Sequence, residues 1–391
     1  MASSDSMLPP LVQITPVANT QNAWVALSLG VQPLAGDLAE GLLSIFSTTD
    51  LLSAIAPLDC ILVLDSPMVV SEALAAHMPV SRVSFAISAE ALQDEAATRR
   101  MLTLQDKGYR IWVDGVPPAG AKAPTALCGV ARDFSETAPG PDVLPLVFGP
   151  HLAQGVNSVE HLMQCAHVGY EWFSGDYPLH PPPVAEPGDG TSRKRLMTML
   201  GMLARDAETR ELETLLKQDP ALSYHLLKLA NSALFAHATP ITSFGQAISV
   251  LGRRQLQRWL QLLLYARNHP DGIANSLLPI AAMRAAQMES LCKLRGGERE
   301  EQDIAFMTGV FSLLDLLIAI PMTEIVAELK LATMAATALL ERSGPLGELL
   351  ALVEAGRVDA AMLNRAGIAP DLWWRSQLAA YHWAIQVSRN L

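Results

Sequence analysis

The chain has no Lys or Arg before Arg82, and its four cysteines, Cys60, Cys128, Cys165 and Cys292, include no CxxC pair. Widely spaced single cysteines exclude a disulfide framework and fit reduced thiols packed as small hydrophobes, as in a cytoplasmic protein. The opening residues MASSDSMLPPLVQITPV hold neither a basic region nor an apolar run of signal-peptide length, so export is not expected. Charge is sparse as well: 17% of the residues are charged and 50% are hydrophobic. That balance excludes a disordered or fibrous chain and suits buried helices and a buried sheet. The best candidate for a membrane span, AFMTGVFSLLDLLIAIPM from Ala305 to Met322, carries Asp315 at its middle and Pro321 near its end. A carboxylate at a bilayer centre costs about 3 kcal/mol, so a buried core helix is expected there and no membrane insertion.

What charge there is divides unevenly. Residues 1–186 hold seven Lys and Arg against 19 Asp and Glu, a net of −12, whereas the remainder holds 21 against 20. An acidic first half repels phosphates, so nucleic acid and nucleotide ligands suit it poorly.

A length of 391 residues implies two domains. The run HPPPVAEPGDG from His180 to Gly190 forbids regular structure, which sets expected boundaries of 1–180, a linker at 181–191 and 192–391. Before the linker, short apolar runs alternate with helical stretches. Cys60–Leu64, Val83–Ile87, Tyr109–Val113 and Leu144–Phe148 read as buried strands; Asp50–Ala56, Ser71–His77, Ala89–Leu104 and Val159–His167 read as helices. Such alternation implies an α/β fold, a parallel sheet with helices outside, either doubly wound or closed into a barrel. After Ser192 the period is helical almost throughout. Asp219-Pro220 opens one helix, Ser243 caps another that Gly252 ends, and further helices are expected over 255–266, 276–294, 302–320, 322–338 and 372–387. This half is expected to be all α.

The segment QDPALSYHLLKLANSALFAHATPITSFGQAISVLGRRQLQRWLQLLL, from Gln218 to Leu264, resembles the HDOD family of bacterial signalling domains. The matching elements are Asp219-Pro220, Leu222, Leu226-Leu227, Ala230-Asn231-Ser232, Ile241, Ser243, Ala247-Ile248 and Leu251-Gly252. The first half is similar to EAL domains mainly in the order of its elements. GYRIWVDGV at 108–116 stands where that family has a glycine, an apolar strand and an Asp-Asp pair, and AQGVNSVEHLMQCAHVGYEWFSGDY at 153–177 stands where its last strands lie. The resemblance implies a degenerate TIM-like, EAL-type barrel followed by an all-helical HDOD domain related to the HD hydrolases. It also implies signalling through protein contacts, in motility, surface behaviour or stress regulation, with other signalling proteins as partners.

Hydrolysis of cyclic di-GMP on such a barrel needs carboxylates around divalent cations. No Asp or Glu occurs from Val17 to Gly36, where the family's first Glu belongs; Asp114 is followed by Gly115, and Gln154, Asn157 and Ser174 stand at other family positions. No His-Asp dipeptide occurs in the chain, and Ser312-Leu313 stands where HD enzymes hold metal with His and Asp. These gaps lead to the expectation of a protein that is not an enzyme, uses no cofactor and does not take cyclic di-GMP; a cyclic di-GMP receptor or residual phosphodiesterase is the alternative. His161, Cys165 and His167 could suggest zinc, but His167 leaves the face shared by the other two. The expected contact surface is the turn carrying Asn231, Ser232 and Phe235 with Arg253 and Arg254 behind it; capping by Asn231, and a solvated helix face paired with carboxylates for Arg254 and Arg258, are the structural alternatives. Trp373, Trp374, Tyr381 and Trp383 pin the last helix, with Trp374 expected as the exposed member.

Overall fold

In the computed structural model, residues 10–34, 36–48, 51–119, 127–137, 149–181, 252–265 and 274–390 are described, together with single residues at 198, 201, 202, 208, 211, 228, 231, 241 and 246. Eight strands close into a barrel in chain order: β1 (Leu11–Asn19), β2 (Trp24–Gln32), β3 (Asp59–Leu64), β4 (Val83–Ser88), β5 (Arg110–Asp114), β6 (Gly129–Asp133), β7 (Leu152–Gln154) and β8 (Trp172–Phe173). Strand β1 is antiparallel to β2 and β8, and every other neighbouring pair is parallel. The opening hairpin turns because Asn19 Oδ1 accepts from the amides of Gln21 (2.9 Å) and Ala23 (3.1 Å), with Asn22 left-handed at φ 58°. Helices α1 (Leu38–Thr48), α2 (Leu51–Ala54), α3 (Glu72–Ala75), α4 (Glu95–Asp106) and α5 (Val159–Val168) accompany the strands.

Alternation along each strand sends one set of side chains inward. Val17, Ala26, Ile61, Ala86, Trp112, Ala131 and Leu152, one from each of β1 to β7, form a buried cluster against which Trp172 of β8 packs. Trp112 and Trp172 lie 5.7 Å apart between ring centroids, and Trp112 Nε1 donates to Pro150 O at 2.8 Å. That indole needs Gly129 beside it, since a Cβ there would meet Pro150 O at 2.4 Å and Trp112 Nε1 at 2.9 Å.

Beyond the barrel strands the described elements are helices: α6 (Arg253–Leu263), α7 (Leu277–Leu294), α8 (Arg299–Phe311), α9 (Leu314–Ile318), α10 (Met322–Leu329), α11 (Thr333–Glu341), α12 (Gly344–Glu354), α13 (Ala360–Arg365) and α14 (Pro370–Asn390). Two expected long helices are each broken. The run from 302 to 320 divides at Ser312-Leu313, and the run from 322 to 338 stops at Lys330, which is left-handed at φ 50°. The apolar stretch at 305–322 is therefore split between elements, and no helix among the described residues is long and apolar enough to cross a membrane. Close approach of α7 and α8 is set by Gly309, where a Cβ would come within 2.6 Å of Ala285 Cα.

The chain forms two compact units, one of 1–182 with 356–378 and one of 183–355 with 379–391. The linker from Pro182 on and the strand expected at Leu144–Phe148 lie outside the described residues, as do the helix opened by Asp219-Pro220, apart from residue 228, and the one capped by Ser243, apart from residue 246. Trp374 is not the exposed tryptophan expected: it and Trp373 are both 4% exposed. Adjacent tryptophans cannot be sorted by a sequence period when the helix is packed on more than one side.

Candidate functional site

The strands from β2 to β8 run the same way, so their final residues share one mouth of the barrel. On β5, Trp112 points inward and Asp114, two residues on, shares its face; on β6 the same step leads from Ala131 to Asp133, and on β7 from Leu152 to Gln154. Asp114 ends β5 beside Ala131 of β6, and Asp133 is in register with Gln154. Burial holds the Asp114 carboxyl above the usual carboxylate range; Asp133 pushes the same way, while Arg132 and a hydrogen bond from Gln154 pull it down. Arg132 donates from Nη1 to Gly115 O and to Ala131 O (3.0 Å), and Asp133 Oδ1 accepts from Ser135 N at 2.9 Å. The mouth position of β2 is Gly30, two and four residues beyond Ser28 and Ala26 on the inward face, and that of β4 is Ser88. Asp114, Asp133 and Gln154 are the polar side chains at the finishes of β5 to β7, and no three metal-holding side chains come together among the described residues. Among the described residues these donors alone do not complete a divalent-cation site, and no step through a metal is derived from them.

On α5, His161 and Cys165 are buried and His167 is exposed. His161 Nδ1 lies 3.1 Å from Asn157 Oδ1 and its ring meets Phe134 edge-on at 6.3 Å, so this face is packed against the barrel's side chains.

In the helical unit, Asn231 braces its turn with a reciprocal pair of bonds: Nδ2 donates to Ile241 O (2.8 Å) and Ile241 N donates to Oδ1 (2.7 Å). Ser232, Phe235 and the side chain of Arg253 lie outside the described residues. Arg254 and Arg258, one turn apart on α6, both pair with Glu289 of α7 and Asp303 of α8; Arg254 reaches Glu289 at 3.4 Å and Arg258 reaches Asp303 at 3.0 Å. Arg258 also stands 4.8 Å over the Phe306 ring. With Arg258 15% and Arg254 29% exposed, this cluster ties three helices together rather than lying on a solvated face.

A model of the HDOD domain matches residues 193–324. Among curated proteins, the chain is 28% identical over 207 residues to cyclic di-GMP phosphodiesterase CdgJ of Vibrio cholerae serotype O1 (strain ATCC 39315 / El Tor Inaba N16961), covering 52% of this chain and 47% of that protein. It is 27% identical over 206 residues to YuxH of Bacillus subtilis (strain 168), described as uncharacterized, covering 52% of this chain and 50% of that one. The chain thus spans about half the length of the curated relatives it matches. Among solved structures, the Bacillus subtilis YkuI protein, with an EAL domain, matches at 10% identity and a TM-score of 0.33, covering 61% of this chain and 71% of that one.

Two expectations are corrected by the likeness to CdgJ. The exclusion of enzyme activity does not stand, and neither does the exclusion of cyclic di-GMP. Missing carboxylates at family positions and the net charge of a whole half do not carry either exclusion. Asp133, outside the family motif, stands at the mouth with Asp114, and Arg132 lies close enough to Asp114 to act on its carboxyl, so the net charge of the half misstates the local field. A closed eight-stranded barrel thus stands in front of the segment 193–324 that the HDOD-domain model matches, an order similar to that of the EAL-HDOD signalling family.

Proposed function

We propose that the chain works in cyclic di-GMP signalling, with the barrel mouth meeting the dinucleotide and the HDOD region meeting protein partners. The observation that carries the first part is Asp114, a half-buried carboxyl raised in pKa at the open end of a barrel, beside a second carboxylate and an amide that bonds to it. The likeness to a cyclic di-GMP phosphodiesterase supports the choice of ligand. Carboxylates suit the guanine bases better than the phosphates: the amino and ring N–H groups of guanine donate, and an ionised Asp only accepts. Asp114 and Asp133 therefore serve as acceptors for a guanine edge, with Gln154 fixing the Asp114 carboxyl in orientation.

Calorimetry of the full chain with cyclic di-GMP, with and without Mn²⁺, tests this, alongside chromatographic detection of linear product. Binding that the Asp114→Ala/Asp133→Ala variant loses supports the reading, and product formation extends it to catalysis. No heat of binding under either condition overturns it.

The second part rests on the Asn231 brace, the pair of bonds that ties Asn231 to Ile241. The turn, with Ser232, Phe235 and the neighbouring Arg253 and Arg254, is the proposed contact surface for other signalling proteins. Arg254 is committed to Asp303 and Glu289, so the informative variant for partner capture is Phe235→Ala, judged against its own melting temperature.

A further inference from the structure

The resemblance to the HD hydrolases implies metal-holding residues where this chain has Ser312-Leu313, and here a guanidinium reaches Ser312. Arg284, in the middle of α7, has a side chain only 8% exposed. Its Nη1 donates to Ser312 Oγ at 3.1 Å and to Glu354 Oε1 at 3.0 Å, and the Ser312 hydroxyl is turned to accept because it donates onward to Gly309 O at 2.8 Å. Arg342 closes on the same carboxylate from the other side, Nε to Oε2 at 2.7 Å and Nη2 to Oε1 at 2.9 Å. Tyr265, fully buried alongside, donates to Val310 O at 2.6 Å. Burial works against the charge of Arg284, and the fields of Glu354, Tyr265 and Asp315 favour it while Arg342 opposes it. A buried positive charge next to a hydroxyl and a leucine does not fit a divalent cation: it repels one, and Ser312 and Leu313 offer no ligand of useful strength.

We propose that Arg284 is the built-in cation of the helical unit, joining α7, the α8–α9 break and α12 through Ser312 and Glu354 as a metal ion joins its ligands. A guanidinium has a permanent charge and a fixed fork, so this junction keeps its shape whatever the metal or phosphate supply. It also fixes where α8 ends, because Ser312 is the residue at which that helix stops. The same charge is satisfied internally and is not offered to a phosphate ligand.

The test uses the full-length protein. Arg284→Ala strips Ser312 and Glu354 of their shared donor and leaves a void at a buried side chain, while Arg342 still holds Glu354, so it is expected to lower the Tm of the helical unit by about 5 °C or more. Millimolar methylguanidinium restores part of that loss and equimolar urea does not. Arg284→Lys, which keeps the charge and loses the fork, falls between the two and covers the case in which the alanine variant does not fold. In the parent protein, hydrogen exchange over residues 277–318 is expected to be the same in EDTA and in millimolar Mn²⁺. The proposal is overturned if Arg284→Ala melts within about 2 °C of the parent, if urea restores it as well as methylguanidinium does, or if Mn²⁺ slows exchange over 277–318. A response of the barrel to Mn²⁺ falls in other peptides and bears on its own reading alone.

Discussion

In the barrel, ionised groups stand at the strand ends: Arg110 and Asp59 pair at 2.8 Å near the strand starts with side chains 36% and 24% exposed, and Asp114 and Asp133 stand at the finishes. Between them lies an apolar layer closed by Trp112 and Trp172. In the helical unit two guanidinium groups lie inside, Arg284 8% and Arg258 15% exposed, each tied to carboxylates from other helices. The difference follows from the elements. A closed barrel satisfies every backbone group by strand pairing and can leave its mouth polar, whereas helices crossing at angles leave gaps that long side chains can bridge. Charge at a mouth is available to a ligand; charge bridging helices is spent on shape.

The largest expected effect probes that contrast directly. Glu354→Ala leaves Arg284 and Arg342 facing each other without their shared carboxylate, and is expected to cost about 3–5 kcal/mol. Asp59→Ala in the barrel removes a half-exposed pair and is expected to cost about 1 kcal/mol or less. Urea unfolding of each variant measures both, and equal losses would break the comparison. Next in size, Asn231→Ala removes both bonds to Ile241 and is expected to cost about 1–3 kcal/mol, read as a lower Tm.

How much of this was legible in the sequence depends on the length of each element and on what faces it. Strands β3, β4 and β5 appear in the sequence as apolar runs because both of their faces are covered, by the barrel interior and by helices. Strands β7 and β8, of three and two residues, are too short to carry a period, and the antiparallel β1–β2 hairpin interrupts its apolar residues with Gln13, Thr15 and Pro16. The helix breaks at Ser312 and Lys330 fall within continuous helical periodicity, because there tertiary packing and local conformation decide the break. Asp114 and Asn231 could be singled out from the resemblance. Asp133 was missed because a lone acid after Arg132 reads as a surface charge until the register with Gln154 is known. Arg284 was missed because its partners lie 28 and 70 residues away.

A smaller effect of the opposite sign is expected at the end of α9, where Ala319 is left-handed at φ 51° and ψ 44°. Ala319→Gly relieves that backbone strain and is expected to stabilise the helical unit by about 0.5–1 kcal/mol. Since the segment lies within the matched HDOD span, an unchanged or lowered Tm would mean that the loss of the methyl group and the gain in unfolded-chain freedom outweigh the relief.

The smallest effect returns to the barrel mouth and depends on pH. The Asp114 carboxyl is held above its ordinary value, mainly by burial and also by Asp133. For an acid whose pKa is higher folded than unfolded, the folded state binds the proton more tightly, so the group favours folding below its unfolded pKa and this contribution is lost as pH rises through the folded value. Above that value the ionised carboxylate is a net cost to the fold, which Asp114→Asn removes while keeping the shape and the contact with Gln154. The variant is therefore expected to melt higher than the parent at neutral pH, by less than about 1 kcal/mol because water at the open mouth screens the charge. Toward pH 3 the gap should close, since there the parent carboxyl is protonated in both states. Melting curves from pH 3 to pH 8 decide it: a difference that grows toward acid would mean that the carboxylate is stabilised by Arg132 and Gln154 more than it is harmed by burial, and the mouth would then be a paired structural site instead of one with an acceptor left for a ligand.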